Sequence, residues 1–163
     1  RCRAFHTAIE KLKKENPGFY PVTFEYMPAK AHVDLGDWTR PVGMFKERRN
    51  PHPKTIRWKI TDNLIRNFFW LRIDAPKKGM EILATISGNR IDLTTTNVEK
   101  ITLRLPSDLF PKNKRVLVTA NGKRVYSGIP KTTLENLCQS IEERGDLSTI
   151  WDREIEISIP KEK

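Results

Sequence analysis

His32 lies in the stretch EYMPAKAHVDLGDW, Glu25 to Trp38, a short polar loop after a run with strand character. An imidazole of ordinary pKa, near ~6.5, exchanges protons close to neutral pH, so the residue type suits a proton shuttle. It suits a plain loop position as well. A shuttle works only beside a nucleophile and a carboxylate that orients it. Asp34 and Asp37 are near in sequence, and both read as helix-capping or solvated residues. Ser87, Ser107, Ser127, Ser140, Ser148 and Ser158 fall at turns, strand ends or helix faces, without a nucleophile context.

The other reactive side chains are scattered. His6 is on one side of a helical stretch and His52 lies between two prolines, so both are expected in solvent. Three histidines so far apart, with no cysteine or carboxylate at ligand spacing, argue against zinc, and no cofactor is expected. Two cysteines are too few for a disulfide framework. Cys138 falls on an apolar helical face and is expected to be a buried structural thiol. Trp58, Phe68, Phe69 and Trp70 have two readings, a carbohydrate-binding face or, more commonly for aromatics on alternating strands, the core between two sheets. The net charge of +10 suggests a polyanionic partner, but the bases are dispersed. Residues 1–50 carry 10 basic against 6 acidic side chains, and residues 51–163 carry 20 against 14. The densest run, KERRNPHPK, reads as a solvated helix end and linker, so nucleic acid is not an expected partner.

Length and pattern set the elements that hold these groups. A chain of 163 residues buries one good core, or one medium domain and a fragment of another. In residues 3–15, Phe5, Ala8, Ile9 and Leu12 recur at helical spacing, and Asn16-Pro17-Gly18 ends the run. Val22 to Met27 is β-branched and aromatic, as in a short strand. Trp38 to Arg49 forms a helix that buries Val42 and Phe45, with Thr39 as N-cap. Helix, strand, loop, helix is α/β grammar, yet one strand cannot make a sheet. NPHP at 50–53 forces extended backbone and marks a linker.

Beyond it, strands are expected at 55–61, 68–74, 81–87, 90–96, 100–106, 115–120, 123–128 and 153–159. Asn121-Gly122 is a strong hairpin turn and Gly88-Asn89 a second one. Short strands at this spacing predict a β-sandwich. One helix interrupts them, at 132–146, with a capping box from Thr132 to Glu135 and Gly145 as its stop. Its Leu134, Leu137, Cys138 and Ile141 should pack over the sandwich. No apolar run approaches membrane-spanning length, and no secretory leader is visible. The chain opens on Arg1 directly in helix-like sequence, as a mature product or an excised piece would, and a periplasmic or extracellular location is favoured.

Residues 3–49 resemble the last helix–strand–loop–helix unit of the α/β-hydrolase fold, and YMPAKAHVDLGDW is similar to the PGxGH-type loop of dienelactone-hydrolase and prolyl-oligopeptidase-like esterases. The blocks RRNPHPKTIRWKITDNLIRNFFWLRID, TTTNVEKITLRLP, VLVTANGKRVY and LENLCQSIEERGDLSTIWDREIEISI resemble the C-terminal β-sandwich of some large bacterial esterase- or peptidase-like proteins. Arg48-Arg49-Asn50-Pro51 and Glu143-Arg144-Gly145-Asp146 are their most distinctive parts. The resemblance implies that His32 is the general base of a parent serine hydrolase, with the rest of that hydrolase domain as partner. No G-x-S-x-G elbow occurs, and the acid would precede Arg1, so this chain alone is expected to be inactive. The expectation is a mainly β protein: an immunoglobulin-like β-sandwich with one packed helix at 54–163, joined through 50–53 to a short α/β segment at 1–49. The exposed strand at 22–27 would offer its edge to a second copy. The competing expectation is a non-enzymatic module that binds glycan, peptide or protein.

Overall fold

The computed structural model describes residues 2–17, 22–24, 42, 43, 45 and 48–160. The chain divides into two units, residues 1–48 and 49–163.

In the first unit, helix α1 spans Cys2–Glu15, with Lys13 and Lys14 in its last turn, where they complement the carbonyl end of the helix dipole. Its partly covered side takes in only half of the apolar stripe, Ile9 and Leu12. Phe5 and Ala8 are exposed, whereas His6 stacks on the Phe24 ring at 4.4 Å, and Lys13 donates to the Val22 carbonyl at 2.6 Å. His6 is therefore held against an aromatic ring and not simply solvated. Val22, Thr23 and Phe24 have no strand pairing, and the remainder of the strand expected at 22–27 lies outside the described residues. Of the helix expected at 38–49, Val42 and Phe45 are exposed, contrary to expectation, since the described residues of this unit supply no sheet to bury them. His32, Asp34, Asp37 and Thr39 lie outside the described residues.

The second unit is mainly β. Strands β1 (Thr55–Lys59), β4 (Glu81–Ser87), β5 (Arg90–Thr96), β7 (Val116–Ala120) and β8 (Lys123–Gly128) form one sheet in the order β1-β4-β5-β7-β8. Strands β2 (Asn67–Phe68), β3 (Leu71–Arg72), β6 (Lys100–Arg104) and β9 (Glu154–Ser158) form the other, in that order. Every pairing is antiparallel except β5 with β7. Parallel neighbours need a crossover, and here the chain crosses to the other sheet to lay down β6 before it returns. Alternation decides which side faces inward: Ile82, Ala84 and Ile86 of β4 are buried between exposed or half-buried neighbours, as are Ile56 and Trp58 of β1. Leu71, Ile101, Leu103, Ile155 and Ile157 from the second sheet join them in one apolar cluster.

The expected strand at 68–74 is instead two short strands around a tight turn. Asn67 pairs with Arg72 and Phe68 with Leu71, so Phe69 and Trp70 form the turn, with Phe69 at φ 54°. Left-handed backbone at a bulky residue costs on the order of 1–3 kcal/mol and persists only where the surroundings impose it. The turn drives the Trp70 ring into the core, where its indole N–H donates to the Pro53 carbonyl at 2.8 Å. Trp58 and Trp70 are both buried, so they form no exposed aromatic row.

Helix α2 spans Leu134–Arg144. Its cap is Thr133, whose hydroxyl accepts the Asn136 N–H, and not Thr132, whose hydroxyl lies 3.5 Å from Asp152. Gly145 ends it at φ 58°, donating to the Ile141 carbonyl. Most of the expected inward stripe is turned outward: Leu134 is 74% exposed, Ile141 45%, and Cys138 is an exposed free thiol, while Leu137 is half-buried. Ser140 is the residue fully buried, its hydroxyl donating to the Leu137 carbonyl, and the ionic groups of Glu143 and Arg144 tie the helix down. Helical periodicity identified the helix; the side that faces inward is set by ion pairing. No helix among the described residues is long and apolar enough to cross a membrane.

Candidate functional site

A cleft of about 260 Å³ opens between the β2–β3 turn, the end of β6, the end of α2 and the segment before β9. Register builds its floor. Arg104 stands opposite Glu154 in the β6–β9 pair, on the side of the sheet that α2 covers, and is only 1% exposed. A buried guanidinium needs all of its donors used. Arg104 Nε donates to Glu154 at 3.1 Å, Nη1 to the Asn67 side chain at 3.0 Å and Nη2 to Glu143 at 2.7 Å, while its plane lies 3.8 Å over the Trp151 ring.

Arg144, on the last turn of α2, is arranged differently. Its Nη2 donates to the Phe69 carbonyl at 3.0 Å, which ties the helix end to the strained turn. Its Nε is buried without a partner, and no carboxylate among the described residues comes within 4.0 Å of its guanidinium. Burial strips water from Arg144, and Arg104 and Arg49 repel it; these outweigh the attraction of Glu143 and Asp146 and hold its pKa below the ordinary arginine value. Trp151 beside it is 3% exposed, and its indole N–H is also buried and unpartnered. An unsatisfied buried donor costs about 1–3 kcal/mol. Among the described residues these are the two buried side-chain polar atoms without a partner, and both belong to residues that line this cleft.

On the rim, Arg49 pairs with Asp146, which also caps the following turn by accepting the Ser148 N–H and hydroxyl. Ser148 first, and then Arg49, hold the Asp146 carboxyl below its usual range. The two blocks singled out in the sequence, around Arg49 and around Arg144, thus meet at one site although the paired residues stand 97 positions apart. His52 is a correction at this rim. Expected in solvent, its side chain is 10% exposed and its Nδ1 lies 2.7 Å from Asp108. The flanking prolines fix its backbone, and the Asn50 side chain accepts its N–H. Phe68, Phe69 and Trp70 line the apolar wall.

Other depressions carry less. Those of about 290 Å³ beside Arg72 and about 440 Å³ beside Asn121 are larger, but no unpartnered buried polar atom lines them. Among the described residues no group of three or more His, Cys, Asp or Glu is placed to hold a metal ion. Arg104, Arg144 and Trp151 were not legible as site residues. Arg104 occupies what reads as an ordinary outward position of KITLR, and Trp151 lies outside any regular element; the ERGD block was the one available signal. What the geometry offers is aromatic surface edged by three arginines, a setting for binding a small group. Comparison with family models, with curated proteins and with solved structures finds no match.

Proposed function

We propose that the chain is the C-terminal part of a serine-hydrolase-like protein whose β unit, an immunoglobulin-like sandwich, is a non-enzymatic binding accessory working through the Arg144–Trp151 cleft. The observation that carries the binding role is a single aromatic-walled cleft, lined by Phe68, Phe69, Trp70 and Trp151 and edged by Arg49, Arg104 and Arg144. Its volume lies just under the range of about 300–1,000 Å³ usual for drug-sized ligands, so it fits a fragment-sized group. A glycan platform is disfavoured, because Trp58 and Trp70 are core residues. His52 has a carboxylate for one ring nitrogen and no hydroxyl or thiol bonded to it among the described residues, which favours binding over acyl transfer at this site.

The binding role is tested by a ligand-observed NMR screen of small apolar acids, amides and alcohols against the full chain. Hits should compete for one site and weaken in Phe69→Ala or Arg144→Gln. An empty screen, or hits indifferent to both substitutions, would overturn it. The hydrolase origin rests on the sequence resemblance of residues 3–49, with His32 as the base of the parent enzyme. It predicts that this chain hydrolyses simple aryl esters no faster than its His32→Ala form; His32-dependent turnover would contradict it.

A further inference from the structure

Resting on the binding role above, we infer that the cleft takes a neutral aromatic ring bearing a hydroxyl, a phenol-type group, with the ring against Phe68 and Phe69 and the hydroxyl donating to His52 Nε2. Three observations converge on this chemistry. First, His52 presents a free acceptor. Its Nδ1 lies 2.7 Å from the Asp108 carboxylate, and an ionised carboxylate only accepts, so Nδ1 carries the ring proton. In the neutral imidazole Nε2 is then an acceptor. Nε2 has no hydrogen-bond partner among the described residues, and the sealed polar atoms without one are Arg144 Nε and Trp151 Nε1 instead. The Nε2 of this cleft-lining ring is therefore reachable.

Second, that acceptor is held in place before any ligand arrives. The His52 side chain is 10% exposed, its backbone N–H donates to the Asn50 side chain at 3.1 Å, and Pro51 and Pro53 restrict the chain on either side. A group already ordered costs little to use in binding. Third, the charges favour a neutral ligand. The cleft is lined by Arg49, Arg104 and Arg144 and by no carboxylate, which disfavours a cation. Behind them Asp108, Asp146, Glu143 and Glu154 outnumber the three arginines, which disfavours an anion. A phenol meets these conditions: its hydroxyl is a stronger donor than an aliphatic one, its ring covers the apolar wall, and about 260 Å³ accepts one ring. Such a group has two sources, a free phenol and the tyrosine side chain of a peptide, and the cleft chemistry is the same for both.

The test is calorimetric titration of the full chain, at about pH 8 to keep imidazoles neutral, with 4-ethylphenol, its methyl ether 4-ethylanisole, 3-phenylpropionate, and the N-acetyl amides of tyrosine and phenylalanine. The phenol is expected to bind about three- to tenfold tighter than the ether, as one neutral hydrogen bond gives. His52→Phe should abolish that preference while the ether still binds, a split that general damage to the cleft would not produce. The unsubstituted chain gives a second reading: its His52 Nε2 nitrogen resonance should be that of an unprotonated nitrogen, and should shift with 4-ethylphenol but not with 4-ethylanisole. A proton on Nε2 in the free chain, or the same response to both probes, would overturn the assignment. Equal affinity for phenol and ether, or a preference that survives His52→Phe, would overturn it as well and leave the binding role intact. Tighter binding of 3-phenylpropionate would overturn the neutral class. No binding of any probe up to about 10 mM overturns the assignment, while the binding role is decided separately by the other compounds of the screen. If the tyrosine amide binds better than both 4-ethylphenol and the phenylalanine amide, the natural source is a tyrosine side chain; if it is excluded, the source is a free phenol.

Discussion

At the scale of single residues, the cleft depends on one arginine that is fully satisfied and one that is not. Arg104 meets two carboxylates, an amide and an indole face, so its loss leaves Glu143 and Glu154 without their cation under a helix. Both carboxylates keep some solvent access, which moderates the cost relative to a sealed pair. Arg104→Met should destabilise the protein by about 3 kcal/mol, read as a shift in the urea midpoint. Glu143→Gln, which leaves Glu154 in place, should cost about 1 kcal/mol. Asp152 gives a pH dependence. Burial pushes its carboxyl up, but hydrogen bonds and charge from Lys112 and Arg153 more than offset this, so the folded value lies below the ordinary one. A lowered carboxylate contributes stability above its unfolded value, about 4, and loses it as pH falls through the folded value. Asp152→Asn should therefore flatten the acid side of the stability curve below about pH 4, with little change of slope near neutrality.

At the scale of elements, existence was readable and orientation was not. Alternation over 81–87 and 90–96, and the Asn121-Gly122 turn with φ of 48° and 76°, follow from period-two burial and from the backbone only such residues adopt easily. The single strand expected at 68–74 failed because an apolar run conceals a turn made at Phe69, a residue type that announces no turn. Helix α2 was found by its spacing and its Gly145 stop, but the assigned face was wrong, since local periodicity cannot tell that Glu143 and Arg144 have ionic and carbonyl partners below. Two measurements follow. Thr133→Ala should cost about 1 kcal/mol and Thr132→Ala clearly less, because only Thr133 caps the helix. Ile141→Glu should change stability by no more than about 0.5 kcal/mol, as for a surface position, where a core position would lose several times that.

At the scale of the molecule, the apolar cluster of residues 49–163 draws on both sheets of that unit, and the unit has what an independent fold requires. Removing residues 1–48 should leave its cooperative unfolding within about 0.5 kcal/mol of the full chain, checked by urea titration; a collapse of cooperativity would show that the core reaches further than this boundary. The cleft could not be read from the sequence for a related reason. Arg49, Arg104, Arg144 and Trp151 come from four separate places in the chain, and only the β6–β9 register and the docking of α2 unite them. What the unit does with that cleft is the central claim, and the indole proton of Trp151 reports on it most directly. Titrating the full chain with hits of the fragment screen while following this resonance should shift it in a saturable way, together with the Phe69 and His52 signals. An indole resonance that stays fixed while shifts appear elsewhere, or nowhere, would contradict the account.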